Sequence, residues 1–170
     1  MTAFTLFHVL ISLVGIATGL IVLFGMIRGQ RLDSWTSVFL TTTVATSVTG
    51  FLFPFNGVTP GIVVGILSLV ILAPAIYGRY SKALAGGWRK VYVIGSVIAL
   101  YFNVFVLIVQ SFQKVPALNA LAPTGSEPAF QVAQGITLLA FIVLGTLAVK
   151  GFREPVALKP TSARSASAGR

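Results

Sequence analysis

The chain has no cysteine, a single histidine and only three acidic residues, Asp33, Glu127 and Glu154. Without cysteine there is no disulfide, no thiolate nucleophile and no cysteine-ligated cluster. One histidine and three scattered acids cannot pair a nucleophile with its base, or gather carboxylates around a metal. Metal-ligand spacing and phosphate-cradling loops are also missing, and Gly86-Gly87 alone carries no such meaning. Proton- or ion-coupled transport normally draws on carboxylates inside the membrane, whereas these three acids sit at the ends of the apolar runs. The two halves of the chain show no repeat of the kind found in inverted-repeat transporters. A protein without enzymatic activity, metal or cofactor is therefore expected.

Charge is scarce overall. Only 9% of the 170 residues are charged and 56% are hydrophobic, where soluble domains carry roughly 25% charged residues. The mean hydropathy is +0.95. The apolar residues fall in blocks of about 20, the length that crosses roughly 30 Å of hydrocarbon. The net charge of +9 does not mark a nucleic-acid binder, because the basic residues lie in the connections and the tail. Beside membrane spans, such charge sets orientation. The partner the composition calls for is the lipid bilayer, not nucleic acid.

The expected fold is an all-α integral membrane bundle of five transmembrane helices over residues 1–153. Its spans are about 4–27, 35–55, 61–80, 91–112 and 129–150, followed by a disordered basic cytoplasmic tail at 154–170. Met1 to Phe7 carries no basic residue, so the first run reads as a retained span and not a cleavable signal. The second span is the least apolar, rich in Thr and Ser but uncharged. Hydroxyls that bond back to the preceding turn make such a helix tolerable in lipid. With five spans and the N-terminus outside, eleven of the twelve Lys and Arg residues are cytoplasmic and only Lys114 is outside. If the second span merely dips into the membrane, the best split is nine to three. The positive-inside rule favours five spans, with the C-terminus cytoplasmic. Trp35, Trp88, Tyr77, Tyr80 and Tyr92 fall near the same inner boundary, where amphipathic rings anchor helices.

Within this frame the fourth span, Val91 to Phe112, carries a polar line. Ser96, Asn103 and Gln110 are spaced seven residues apart, with Tyr92, Ala99 and Val106 interleaved, the spacing of a helix-packing seam. An amide facing lipid at mid-span loses its hydrogen bonds, at a cost of several kcal/mol. Asn103 therefore faces protein or a ligand, and Thr42, Thr46 and Thr49 of the second span offer a hydroxyl stripe for it. Small-residue lines, Gly15 to Gly19 and Gly61 to Gly65, let other backbones approach the first and third spans. Pro74 should kink the third. Val115, Leu118 and Leu121 suit a short helix on the outer surface, and Ser126-Glu127-Pro128 reads as N-cap, acidic first turn and early proline of the fifth span.

Placed by depth, His8, Thr49, Asn56, Gln110, Gln131 and Gln134 gather near the outer boundary. Such a cluster suits a polar headgroup, a quinone carbonyl or a small solute held by several neutral hydrogen bonds. The preferred reading is simpler: interfacial amides and hydroxyls that reach water or stitch helices together. His8 is a weak candidate haem ligand, since iron held between two histidines needs a second one that this chain lacks.

The stretches Trp35 to Thr43, Thr49 to Phe55 and Leu121 to Pro128 resemble recurring segments of uncharacterised bacterial multi-pass inner-membrane proteins. The resemblance covers most of the chain except the tail. It implies a bacterial inner membrane and no activity or site. The leading expectation is an accessory, scaffold or self-assembling subunit, as a homo-oligomer or with a membrane protein partner. The alternatives are a binding protein or permease for a small lipophilic or neutral solute, and a haem- or quinone-associated redox subunit.

Overall fold

The computed structural model describes residues 2–54, 57 and 60–153. Asn56, the Thr59 cap expected for the third span and the tail from residue 154 lie outside the described residues. The chain folds as α1 (Ala3–Ile27), α2 (Asp33–Gly50), α3 (Pro60–Tyr80), α4 (Trp88–Lys114), α5 (Pro116–Leu121) and α6 (Pro128–Gly151), with no strand among the described residues. Four of these, α1, α3 from Gly61, α4 and α6, are long and apolar enough to cross a membrane. Their exposed faces are aliphatic, such as Val132, Ile136, Leu139 and Val143 along α6, as lipid demands.

The helix α2 differs from those four. Nine of its 18 residues are Ser or Thr, and at about 1.5 Å per residue it is roughly 27 Å long. It is tolerated beside apolar helices because several of its hydroxyls bond back to the preceding turn. Thr42 donates to Val38 O at 2.7 Å, Ser47 to Thr43 O at 3.0 Å and Thr49 to Ala45 O at 2.7 Å. It ends at Gly50, where residues to 55 were expected, and Phe51 to Phe53 form a turn.

Neighbouring long helices in the order α1, α2, α3, α4, α6 alternate in direction, as cross-helix contacts at both ends require. Asp33 at the start of α2 pairs with Arg79 at the end of α3, while Thr49 near the end of α2 pairs with His8 near the start of α1. α2 thus runs beside α1 from the Arg79 end of the bundle to the His8 end. α4 is the hub, in contact with all five other helices. The α1–α2 connection is made by Gly29 at φ 73°, whose N–H reaches Met26 O at 3.0 Å while Gln30 N–H reaches Gly25 O at 2.8 Å. These bonds satisfy the carbonyls left open at the end of α1, in a left-handed conformation that glycine adopts without strain.

Without a hydrophobic force between helices in lipid, close backbone approach has to hold them. Gly19 of α1 lies where a Cβ would meet Leu100 Cδ1 at 2.6 Å and the Phe39 ring at 2.8 Å; a Cβ on Gly151 would run into the Ile27 carbonyl. The small-residue line of α1 is therefore taken up inside the bundle, by α2 and α4. On the α3 line, a Cβ on Gly65 would stand 3.1 Å from the Phe51 ring in the turn after α2.

The buried apolar cluster includes Leu23, Phe39, Leu72, Tyr92, Leu100 and Ala148, and each member on a helix lies in the half nearer Arg79. Leu84, at φ 63° in the loop after α3, is also buried and closes that end.

Candidate functional site

The other half of the bundle is hollow. Between the first half of α1, the end of α2, the first half of α3 and the second half of α4 lies a cavity of about 560 Å³, within the size range of small-molecule sites. Its walls are mostly aliphatic, from Val9, Ile16, Val64 and Val106 among others. Its polar groups include His8, Ser12, Thr46, Asn103, Gln110 and Lys114. Contacts between α3 and α4, such as Ala75 with Gly95 and Gly78 with Trp88, fall towards the Arg79 end. Beyond them the two helices face each other across the cavity.

Each polar group is positioned by its helix. Asn103 donates from Nδ2 to Thr43 Oγ1 at 3.4 Å, beside Gly15 of α1. His8 Nδ1 meets Thr49 Oγ1 at 2.8 Å, and the Phe53 ring stands edge-on to the imidazole at 5.0 Å. One turn on, Ser12 donates to His8 O at 2.7 Å. Thr46 Oγ1 is buried and has no hydrogen-bond partner among the described residues. Lys114 apart, the cavity thus offers neutral hydrogen-bonding groups at successive depths in an apolar wall, suited to a lipophilic molecule with polar substituents. No group of three His, Cys, Asp or Glu that could hold a metal ion occurs among the described residues.

The structure divides the residues singled out above. His8, Asn103, Gln110 and Thr46 line the cavity, with Thr49 behind His8. Gln131 and Gln134 do not. Gln131 Nε2 donates to Ser126 O at 2.8 Å, and Gln134 Nε2 to Phe105 O of α4 at 3.2 Å, so the depth-based outer cluster splits into two sites. Along the polar line of α4, Ser96 is buried at the packed end, Asn103 is half-buried and Gln110 is exposed to the cavity. The hydroxyl stripe is rotated from its expected place. Asn103 bonds Thr43, whereas Thr42 lies against Gly15 of α1 and Thr49 serves His8.

Three further departures matter at the ends. Tyr92 is not an interfacial anchor: it is 1% exposed, lies under the Arg79 guanidinium at 4.9 Å and sets its hydroxyl 3.4 Å from Thr36. Arg79 is not a free loop charge: it is 4% exposed and paired with Asp33. A cation in the last turn of α3 that also stacks on an aromatic ring is stabilised without lying in water. The N-cap of α6 is Glu127, not Ser126, and its carboxylate turns back to accept from Thr124 N at 3.0 Å and Ser126 N at 3.0 Å. These bonds, that from the Thr124 amide first, hold the Glu127 carboxyl below its ordinary pKa.

A second hollow of about 420 Å³ lies between α4 and α6 nearer the Arg79 end, lined by Val97, Tyr101, Phe141 and Gly145 with Lys150 at its edge. Its walls are almost wholly apolar and it lacks the graded polar groups of the first. No known family model, curated protein or solved structure matches the chain.

Proposed function

We propose that the protein is a non-enzymatic binding protein of a bacterial inner membrane, holding a small lipophilic molecule with polar substituents in the cavity at the His8 end. The observation that carries this reading is the 560 Å³ cavity itself, with His8, Asn103 and Gln110 set in an apolar wall. The accessory-subunit reading draws on the small-residue lines of α1 and α3, the polar line of α4 and the lack of catalytic groups. The α1 line is taken up by α2 and α4 of the same chain, while Gly61, Gly65 and Ser68 of the α3 line face the cavity. In this proposal α2 is a fifth span, the His8 end faces outwards and the C-terminus is cytoplasmic. The eleven-to-one charge split and the course of α2 beside α1 support that arrangement. A reporter fused at Gly57 should register the outside; a cytoplasmic signal there would overturn the topology.

The binding test is extraction. Protein purified in lipid nanodiscs should release one lipophile in near-equal amount to protein, and Val106→Trp, which fills the cavity, should lose it. If both release only bulk bilayer lipid, the binding reading is wrong. A Soret band or a quinone in the same extract would identify the redox alternative.

A further inference from the structure

The hydrogen bonds around His8 fix which way its ring can bond, and this narrows the class of molecule the cavity takes. Thr49 has one hydroxyl hydrogen. Its oxygen stands 2.7 Å from Ala45 O and 3.2 Å from Thr46 O, both carbonyls that can only accept. The hydrogen is therefore committed to the α2 backbone, and towards His8 Nδ1, at 2.8 Å, Thr49 Oγ1 can only accept. His8 Nδ1 must then be the protonated nitrogen, since the bond made by one ring nitrogen sets the state of the other. In the neutral ring this leaves the lone pair on Nε2. The Phe53 ring stands edge-on to the imidazole at 5.0 Å, and His8 lies on the cavity wall.

Other cavity groups also accept, among them the amide oxygens of Asn103 and Gln110 and the hydroxyl oxygens of Thr46 and of Ser12, whose hydrogen goes to His8 O at 2.7 Å. Lys114 can only donate. An imidazole lone pair is a stronger acceptor for an O–H than an amide or hydroxyl oxygen, and as Nε2 carries no hydrogen it cannot turn round to donate. A guest whose head carries only ether or ketone oxygens would leave the His8 lone pair without a hydrogen. A guest with a hydroxyl satisfies it.

We infer, resting on the binding reading above, that the cavity takes an amphiphile whose head presents an O–H group to His8 Nε2, with Thr49 as the positioning residue that sets the tautomer. The class is that of long-chain phenols, hydroquinones and hydroxylated lipids. The site discriminates by leaving its acceptor unpaired with the wrong guest.

Two measurements on the full chain in nanodiscs test this. The first is NMR of isotope-labelled histidine, unambiguous because the chain has one histidine. The proton should sit on Nδ1 in the wild type and leave that assignment in Thr49→Val, while Thr49→Ser retains it. The second is titration with para-octylphenol and its methyl ether. Wild type and Thr49→Ser should prefer the phenol by about tenfold or more; Thr49→Val and His8→Phe should lose the preference but still bind the ether. A wild-type ring protonated on Nε2, or on both nitrogens, overturns the inference. So does equal affinity for the two probes, and both results leave the binding reading standing. If wild type and Val106→Trp take up either probe only as empty nanodiscs do, the binding reading itself falls.

Discussion

The two halves of this bundle are built on different principles. At the Arg79 end, Leu23, Phe39, Leu72, Tyr92 and Leu100 close over one another, and glycines bring helix backbones together. At the His8 end the same four helices, α1 to α4, stand around a cavity, and what joins them across it is a few polar bonds such as His8 to Thr49 and Asn103 to Thr43. In a membrane a polar bond between helices contributes on the order of 0.6 kcal/mol, so such bonds orient side chains more than they hold helices together. Fold stability should therefore reside at one end and guest selectivity at the other.

The sharpest way to break this comparison is to add one methyl group at each end. Gly151→Ala drives a Cβ into the Ile27 backbone, and overpacking of this kind costs about 3 kcal/mol. Gly50→Ala meets only His8 Cε1 at 3.7 Å and exchanges a poor helix former for the best one, a gain of up to about 1 kcal/mol. Reversible unfolding in mixed micelles should show the first variant destabilised and the second not. Equal effects would mean that stability is not concentrated at the Arg79 end.

Charge gives the next test. Arg79→Leu removes a buried cation from the face of Tyr92, where the pair stands 4.9 Å apart, and should cost about 2 kcal/mol. Asp33→Asn should cost less, below about 1 kcal/mol, because the Asp33 side chain is 72% exposed and water screens its charge. A larger loss from Asp33→Asn than from Arg79→Leu would show that the ion pair, not the stacking, holds that end.

The smallest effect is expected at Glu127, in the turn before α6. Its pKa is lowered in the fold, so the carboxylate supports the turn at pH above the ordinary carboxylate range. The support is lost as pH falls through its own, lower value. Amide exchange at Thr124 and Ser126 should speed up over that acid range while Asn103 and its neighbours stay protected. Glu127→Gln should remove the pH dependence.

Much of this architecture is legible in the sequence, and the parts that are not share a cause. Apolar length places α1, α3, α4 and α6, and the seven-residue spacing of Ser96, Asn103 and Gln110 marks the line that leads from the packed end to the cavity. Depth follows from counting residues along a helix. Rotation about the helix axis does not, because each residue turns the face by about 100° and no partner is visible in a sequence. Hence Thr43 and not Thr42 meets Asn103, and Gln134 shares the depth of the cavity but lies against Phe105 O. Arg79 was hidden for another reason: a cation at the end of a span looks like any interfacial charge until Asp33 and Tyr92 are seen around it.

The seam between Gly151 and Ile27 also bears on how the chain is made. A chain that enters the membrane from its N-terminus inserts α1 early, yet the backbone surface that Ile27 fits arrives only with the end of α6. Until then Tyr101 and Val97 lack the α6 wall that Phe141 and Gly145 supply. Among the described helices, α6, made after the other long ones, is thus the one that locks α1. Ribosome-stalled intermediates ending before α6 should stay loose and open to proteases until residue 151 has emerged.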